Sequence, residues 1–170
     1  MLHSRRARLA IAITVGLLML AIAAAAAELT RMQARYYDRA GSGVRSGVNP
    51  QGETDLRLSG RRLSSWPPLA GGTWIVTAKG THRSWTSVPI TAIGVEGELE
   101  LTAGGETFDD SASDGWLNGD EAEARTECES DEVRGTELLD CEAEASSEHE
   151  FYDSRLGGWL FLYTSVSGGL

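Results

Sequence analysis

The stretch VEGELELT (95–102) carries the clearest structural signal in the chain, because apolar and acidic residues alternate along it without interruption. Val95, Leu99 and Leu101 share one set of alternate positions with Gly97, and glutamates occupy the positions between them. A period of two residues is typical of a β-strand that packs one face on a core and turns the other to water. The stretch therefore predicts a half-buried strand.

Four further stretches predict strands on either side of it: TDLRLSG (54–60), TWIVTAK (73–79), SWTSVPITAI (84–93) and GWLFLYTSV (158–166). Pro89 marks the third as an edge strand or a bulge, because proline cannot donate a backbone hydrogen bond. The fourth is apolar on both faces, which is typical of a central strand. Strand starts about eleven residues apart favour an antiparallel meander.

The N-terminal block LAIAITVGLLMLAIAAAAA (9–27) contains nineteen residues without a charge and follows three arginines. Two interpretations remain open. A signal peptide would be cleaved after Ala27, with Ala25 and Ala27 as the small residues before the cut. A membrane anchor would cross the bilayer as a helix of roughly 28 Å, in contact with lipid over residues 9–27. Both place the following residues outside the cytoplasm.

The segment ELTRMQARYYDRAG (28–41) predicts an amphipathic helical stem, because Leu29, Met32, Tyr36 and Tyr37 recur at helical spacing. A glycine-rich hinge follows. The expected organisation is a signal anchor or signal peptide (1–27), a stem and hinge (28–45) and a β-rich extracytoplasmic domain (46–170). At 170 residues the chain has room for one such domain. The predicted fold class is α+β, with an N-terminal helix before a small antiparallel sheet domain that carries an acidic disulfide loop.

Charge is concentrated in the second half of the chain. Residues 91–170 contain three arginines and twenty-one acidic residues, a net charge of −18, while the whole chain carries −10. This imbalance argues against nucleic acid as a partner, because phosphate backbones bind basic surfaces. It suits a cation site or a basic partner instead.

The acidic stretch 103–157 contains the only two cysteines, Cys128 and Cys141. An even number of cysteines in an exported chain favours a disulfide. With twelve residues between them, the bond would contribute roughly 3 kcal/mol in the chain-entropy model. Two free buried thiols are the alternative. A zinc site is disfavoured, because the Cys-x-x-Cys spacing is absent.

Within this stretch, DSASDGWLNGDE (110–121) resembles EF-hand-like and dockerin-type calcium loops over its twelve residues. The resemblance implies oxygen ligands from five residues: Asp110, Asp114, Trp116 through its carbonyl, Asn118 and Glu121. Ala112 stands at the third position, where such loops carry an oxygen ligand. A solvated acidic turn is the alternative, and calcium is the only cofactor the sequence suggests.

Other candidate residues form no recognisable catalytic set. His82 is expected in a hairpin-like turn, and His149 on a solvated acidic face. The sequence lacks G-x-S-x-G, P-loop and G-x-G-x-x-G motifs. We therefore predict that the protein is not an enzyme. Its five tryptophans are expected in the core and at its rim, where exposed rings could bind sugar or protein.

The order of basic residues, apolar segment, AAELTRMQARYYDRAG (26–41), glycine hinge and predicted sheet resembles the layout of type IV pilin-like proteins, including minor pilins and pseudopilins. The resemblance implies subunits that assemble through their stems and display a β domain. The glutamate near the prepilin cleavage site is absent from residues 9–27. The predicted function is structural or adhesive, in a single-pass protein of the cytoplasmic membrane with its C-terminal domain outside. A secreted module that binds calcium or a glycan is the alternative.

Overall fold

One 31-residue strand, β3 (Thr73–Ala103), organises the structure. The computed structural model describes residues 31–39, 47–63 and 72–170, and for 31–39 it gives the strand and its pairing alone. The other strands are β1 (Arg31–Arg39), β2 (Gln51–Leu63), β4 (Glu106–Glu129), β5 (Val133–Arg134), β6 (Glu142–Asp153) and β7 (Gly158–Gly169). Short 3₁₀ turns occupy Leu138–Asp140 and Ser154–Leu156. The described residues contain no α-helix.

All strand pairs are antiparallel and belong to one sheet. β4 pairs with β3 along both of its parts, while β2 pairs with residues 73–85 of β3 and β6 with residues 92–102. The register shifts between Trp85 and Ile90, so the bulge predicted at Pro89 is confirmed. β1 extends the sheet beyond β2, and β7 extends it beyond β6.

The bulge divides the sheet into two half-sheets that face each other. The first half-sheet contains β1, β2, β5, residues 73–85 of β3 and residues 121–129 of β4. The second contains residues 90–103 of β3, residues 106–119 of β4, β6 and β7. Buried apolar side chains from both halves pack together in two clusters, one around Leu58, Val76 and Leu101, the other around Ile93 and Phe151. A fully buried side chain of this size contributes about 1.5–3 kcal/mol to the free energy of folding.

The predicted α+β class is wrong for the described residues, and so is the helical stem where it can be compared. Arg31–Arg39 form a strand that pairs with Gln51–Ser59 of β2. The sequence RMQARYYDR places Met32, Ala34 and Tyr36 at alternate positions, so it fits the strand period as well as the helical one. In the folded protein this segment forms a strand and not a helix, because its backbone pairs with β2. The amphipathic helix that is part of the pilin-like resemblance is therefore absent over these residues. The rest of the resemblance stays a prediction.

The predicted transmembrane helix has no counterpart in the described part of the chain, where no helix has the length and hydropathy of a membrane span. Residues 9–27, to which that prediction refers, lie outside the described residues.

The predicted disulfide loop is also wrong. Residues 106–129 and 142–153 of the acidic stretch are the strands β4 and β6, and both cysteines are free and buried. The Cys128 thiol donates to the carbonyl of Leu99, and the Cys141 thiol to the carbonyl of Glu137. The Cys128 thiol is thus held against β3 and the Cys141 thiol against the 3₁₀ turn, and both lie in the first apolar cluster. They behave as small apolar core residues.

The last predicted strand exists, but it is not central. β7 pairs with β6 and ends the chain of paired strands among the described residues. Only one of its faces is buried, through Leu162 and Thr164, while Trp159, Phe161 and Tyr163 are exposed.

Candidate functional site

The outer face of the second half-sheet combines exposed aromatic rings with a field of carboxylates. Its aromatic residues are Tyr152, Trp159, Phe161 and Tyr163, of which Trp159 and Tyr163 are 58% and 63% exposed. Its acidic residues, on β3 and β6, are Glu96, Glu98, Glu100, Glu142, Glu144, Glu148 and Glu150. We call this set the aromatic–acidic face.

Strand register places these side chains in rows across the face. Tyr152 is opposite Trp159, Glu150 opposite Phe161, and Glu148 opposite Tyr163. The rings of Tyr152 and Trp159 lie 5.0 Å apart, and those of Trp159 and Phe161 lie 6.0 Å apart in a stacked arrangement. Tyr152, Trp159 and Phe161 therefore form a strip of neighbouring rings beside the carboxylates, and Tyr163 follows on the same face of β7.

A shallow trough crosses the face where glycines replace side chains. Gly94 and Gly115 are directly opposite each other on β3 and β4. They line a depression of about 520 Å³ together with Glu150, Trp159 and the exposed Leu117. A ligand in the trough would contact one indole ring and one carboxylate at the same time.

The electrostatic environment of the face is negative throughout. Burial, the hydrogen bond to Glu148 and the nearby Glu150 raise the pKa of Tyr163. The Tyr163 hydroxyl donates to Oε1 of Glu148 at 3.2 Å, which orients that carboxylate. Among the side chains that the structure describes, none on the strand segments of the second half-sheet is an arginine or a lysine that could neutralise this face.

The outer face of the first half-sheet is different, because its charges compensate one another. Lys79 pairs with Glu127 at 2.7 Å, and Arg83 pairs with both Glu121 and Glu123. Arg125 pairs with Glu123 as well. The two outer faces therefore present a mixed, self-paired surface on one side and an unneutralised acidic surface on the other.

The core between the half-sheets contains a second unusual feature, a continuous chain of buried polar side chains. In order along the hydrogen bonds, its members are Thr126, His82, Ser147, Thr54, Thr164, His149 and Ser84. None is more than 5% exposed. They lie between the two apolar clusters, on β2, β3, β4, β6 and β7. We call this chain the hydroxyl–imidazole belt.

The direction of every hydrogen bond in the belt follows from its last link. The Ser84 hydroxyl donates to the carbonyl of Gly94 at 2.8 Å, because a carbonyl can only accept. Ser84 must then accept from Nδ1–H of His149, 2.9 Å away, which leaves Nε2 of that ring as an acceptor for the Thr164 hydroxyl at 2.7 Å.

The same argument continues to the other end of the belt. Thr164 accepts from Thr54, and Thr54 accepts from Ser147, both at 2.5 Å. Ser147 accepts from Nδ1–H of His82 at 2.6 Å, and Nε2 of His82 accepts from Thr126 at 2.9 Å. Seven side chains supply one proton each to seven links, so the network is complete when each imidazole carries one proton.

Three glycines make room for the two rings. A Cβ atom on Gly97 would lie 2.1 Å from Cδ2 of His82, and one on Gly80 would lie 2.7 Å from Nε2 of the same ring. A Cβ atom on Gly52 would lie 2.4 Å from Cδ2 of His149. These distances are far below van der Waals contact, so any side chain at these positions would displace a ring.

The expectations for the histidines are therefore wrong: both lie inside strands of the core rather than in a turn or on a solvated face. In both His–Ser pairs, His82 with Ser147 and His149 with Ser84, the imidazole donates to the serine hydroxyl, so neither ring is oriented as a base for its serine. All four side chains are buried, so a substrate cannot reach them in this conformation.

The residues of the predicted calcium loop lie in the extended strand β4. Asp110 and Asp114 point to the same side of the strand, but they are four residues apart, about 13 Å along an extended chain. The Oδ2 atom of Asp110 accepts from the backbone N–H of Glu127, and that of Asp114 accepts from the N–H of Glu123. These carboxylates thus satisfy backbone N–H groups on the open edge of β4, within its residues 121–129.

The three remaining predicted ligands lie further along the same strand. Trp116 donates from Nε1 to Asp114, Asn118 adopts a positive φ of 56°, and Glu121 pairs with Arg83. The described residues contain no group of three or more His, Cys, Asp or Glu side chains placed to hold a metal ion. Calcium binding by this segment stays a prediction.

No family model matches the chain, and no curated protein matches its sequence.

Proposed function

We propose that this chain is a non-catalytic binding module, acting outside the cytoplasm, that docks an arginine-rich protein segment on its aromatic–acidic face. The observation that carries the proposal is the combination, on one sheet face, of seven glutamates, four partly exposed aromatic rings and no basic side chain among the described residues. The extracytoplasmic location rests on the uncharged block 9–27 and the arginines before it.

Arginine fits this face better than other basic groups do. A guanidinium group stacks on aromatic rings and pairs with carboxylates through two parallel hydrogen bonds. Trp159 lies beside Glu150 in the glycine-floored trough, where both contacts are available to one side chain. The charge of the face also steers a basic segment toward it, because opposite charges raise association rates.

The proposal suits the adhesive or assembly role expected from the sequence. A sheet face holds its side chains in fixed rows for contact with an extended segment, and its partner needs no deep pocket. The self-paired charges of the opposite half-sheet, such as Lys79 with Glu127, leave that side with less attraction for a basic partner.

The direct test is calorimetric titration of the protein with oligo-arginine, oligo-lysine and oligo-glutamate peptides of equal length. We expect oligo-arginine to bind more tightly than oligo-lysine, and oligo-glutamate not to bind. Binding should weaken by about tenfold when the ionic strength is raised from low to high salt, because the charges are exposed. Replacing Trp159 and Phe161 by alanine should cost about fivefold in affinity for oligo-arginine and remove most of its advantage over oligo-lysine.

A matched pair of variants separates this face from the overall negative charge. Glu148→Gln with Glu150→Gln removes two charges from the face, and Glu127→Gln with Glu129→Gln removes two from the first half-sheet. Only the first pair should weaken binding strongly. Equal losses in both pairs would refute a defined docking face. Binding of neutral oligosaccharides with quenching of Trp159 fluorescence, without binding of oligo-arginine, would replace the proposal with glycan recognition.

A further inference from the structure

The hydroxyl–imidazole belt is the polar connection between the two half-sheets. His82, Thr54 and Ser84 belong to the first half-sheet, and each bonds to a side chain of the second. Their partners are Ser147, Thr164 and His149, on β6 and β7. The belt therefore bridges the interface across which the sheet curls.

The belt has no place for a second proton on His82. Its Nε2 atom lies 2.9 Å from the Thr126 hydroxyl, which donates to it. A proton on Nε2 would set two donors against each other, and the Thr126 hydroxyl would have to turn toward a different acceptor inside the core. A buried hydroxyl that loses its partner costs about 1–3 kcal/mol.

A second proton on His149 has a wider effect. Its Nε2 atom would donate to Thr164, so the Thr164 hydroxyl proton would lose its acceptor. If that proton turned toward Thr54, the hydroxyls of Thr54 and Ser147 would have to reverse in turn. The reversed Ser147 hydroxyl would then meet Nδ1–H of His82, which is also a donor. The hydrogen-bond directions that a doubly protonated His149 would impose on the belt are therefore incompatible with the Nδ1–H donor of His82.

The surroundings of His82 offer no compensating charge among the described side chains. The inner faces that contact the belt contribute Gly52 and Thr54 from β2, Gly80 and Gly97 from β3, Ala124 and Thr126 from β4, Ser147 and His149 from β6, and Leu162 and Thr164 from β7. The Cys128 thiol follows Thr126 on the inner face of β4.

Charged groups on the inner sides of these strands are already engaged. Asp110 and Asp114 accept backbone amides of β4, and Asp153 pairs with Arg155. Burial lowers the pKa of His82 from 6.5 to about 4.

We propose that the hydroxyl–imidazole belt is an acid-sensitive latch, which holds the two half-sheets together at neutral pH and releases them as the imidazoles take up a second proton. Because His82 binds its second proton more readily in the unfolded chain than in the folded one, acidification favours the open state. Stability is complete above the unfolded pKa of 6.5 and falls as the pH approaches 4.

The carboxylates of the molecule do not produce such a loss. The chain carries a formal net charge of −10 at pH 7, and ordinary Asp and Glu side chains, with pKa values of about 4, stay largely ionised down to pH 5. A protein without the latch should therefore keep its stability over this interval. A loss of stability between pH 7 and pH 5 assigns the effect to the imidazoles.

The test is denaturant-induced unfolding of the full chain at pH 7 and pH 5, with amide hydrogen exchange at both values. We expect the unfolding equilibrium constant to rise about 20-fold from His82 alone, as its pKa values in the two states require. Exchange should accelerate first at the belt positions of β2, β3 and β6. His82→Gln should remove most of the pH dependence, and His3→Gln, which leaves the belt intact, should preserve it.

Nitrogen chemical shifts of the wild-type imidazoles give a second readout, should His82→Gln fail to fold. Both rings should be Nδ1–H tautomers at pH 7, and charged rings should appear only together with loss of amide protection. Stability that is constant or rises between pH 7 and pH 5, or charged rings within fully protected strands, would overturn the latch.

Discussion

Gly97 shows how closely individual residues are fitted around the belt. Its missing side chain leaves the space that the imidazole of His82 fills, on the strand that spans both half-sheets. A polar ring in a core is stable only when its nitrogens find partners, and it can reach them here because glycine lets the strands approach. Close packing and hydrogen bonding thus depend on the same position.

Replacing Gly97 by alanine should therefore destabilise the fold by about 2–3 kcal/mol, because the new methyl group overlaps the His82 ring. Gly94→Ala is the matched control on the same strand, since its Cβ atom would lie 3.5 Å from the nearest atom, Oε2 of Glu150. Chemical denaturation of both variants measures the difference. Equal stability of the two variants would show that the ring yields without cost.

The two cysteines allow a test of the core at the level of single atoms. Burial, with a smaller contribution from Asp110 and Asp109, raises the pKa of Cys128 to about 11, and burial raises that of Cys141. Because the thiolate is the reactive form, both thiols should resist alkylation in the native protein near pH 8. Unfolding without reductant should expose two reactive thiols by mass spectrometry. Labelling that requires prior reduction would instead reveal a disulfide.

Among the elements, the C-terminal part of β3 was the most predictable, and β4 and β6 were the least. The sequence predicted three shorter strands within β3, with a turn at His82, whereas Thr73–Ala103 form one continuous strand. VEGELELT has strong apolar residues at alternate positions, so its strand and its buried face follow from sequence. EAEARTECE (121–129) and EAEASSEHE (142–150) alternate just as regularly, but their inner residues are Ala, Thr, Cys, Ser and His. These residues signal burial weakly, so the inner faces of β4 and β6 do not follow from the sequence.

The candidate sites were hidden for a related reason. The belt joins residues 65, 93 and 110 positions apart in the chain, as in His82 with Ser147, Thr54 with Ser147, and Thr54 with Thr164. No local pattern encodes such contacts. The aromatic–acidic face did leave a signal, since every second residue of WLFLY (159–163) is aromatic and the glutamates of VEGELELT lie on the face predicted to meet water. The glutamates next to the aromatic rings come from β6, a strand that the sequence did not reveal.

The edge of β4 supports a prediction at the level of the element. Asp110 and Asp114 accept backbone N–H groups of Glu127 and Glu123, which would otherwise lie on an open strand edge. Alanine at either position should lower the free energy of unfolding by roughly 1 kcal/mol and speed amide exchange at its partner. Asp109→Ala, on the opposite face of the strand, is the control and should leave exchange at both amides unchanged.

Calcium titration of the same three variants extends this experiment to the loop predicted from sequence. An ion bound by Asp110 and Asp114 would have to draw both carboxylates away from the β4 amides. A rise in melting temperature with calcium, lost in both alanine variants, would establish binding, whereas a constant melting temperature would leave the carboxylates as edge caps.

For the whole molecule, the uneven distribution of charge over the two outer faces has a measurable cost. Glu98 lies between Glu96 and Glu100 on one strand face and is opposite Ser111 and Ser146 on the adjacent strands, so the nearest charges along its own strand are like charges. Glu98→Gln should raise stability by roughly 0.2–0.5 kcal/mol at low ionic strength, and the gain should vanish at high salt. Glu127→Gln, which breaks a pair with Lys79, should not be stabilising. A gain of equal size in both variants would contradict the assigned difference between the faces.

The glycine pockets around the imidazoles also constrain how this sequence can drift. A related chain that exchanges His82 for a smaller residue is released from the need for glycine at 80 and 97, and one that exchanges His149 is released at 52. If one of these glycines is replaced before its histidine, the new side chain overlaps the imidazole ring. Divergent homologues should therefore inherit each ring and its glycines as a unit, or replace them together.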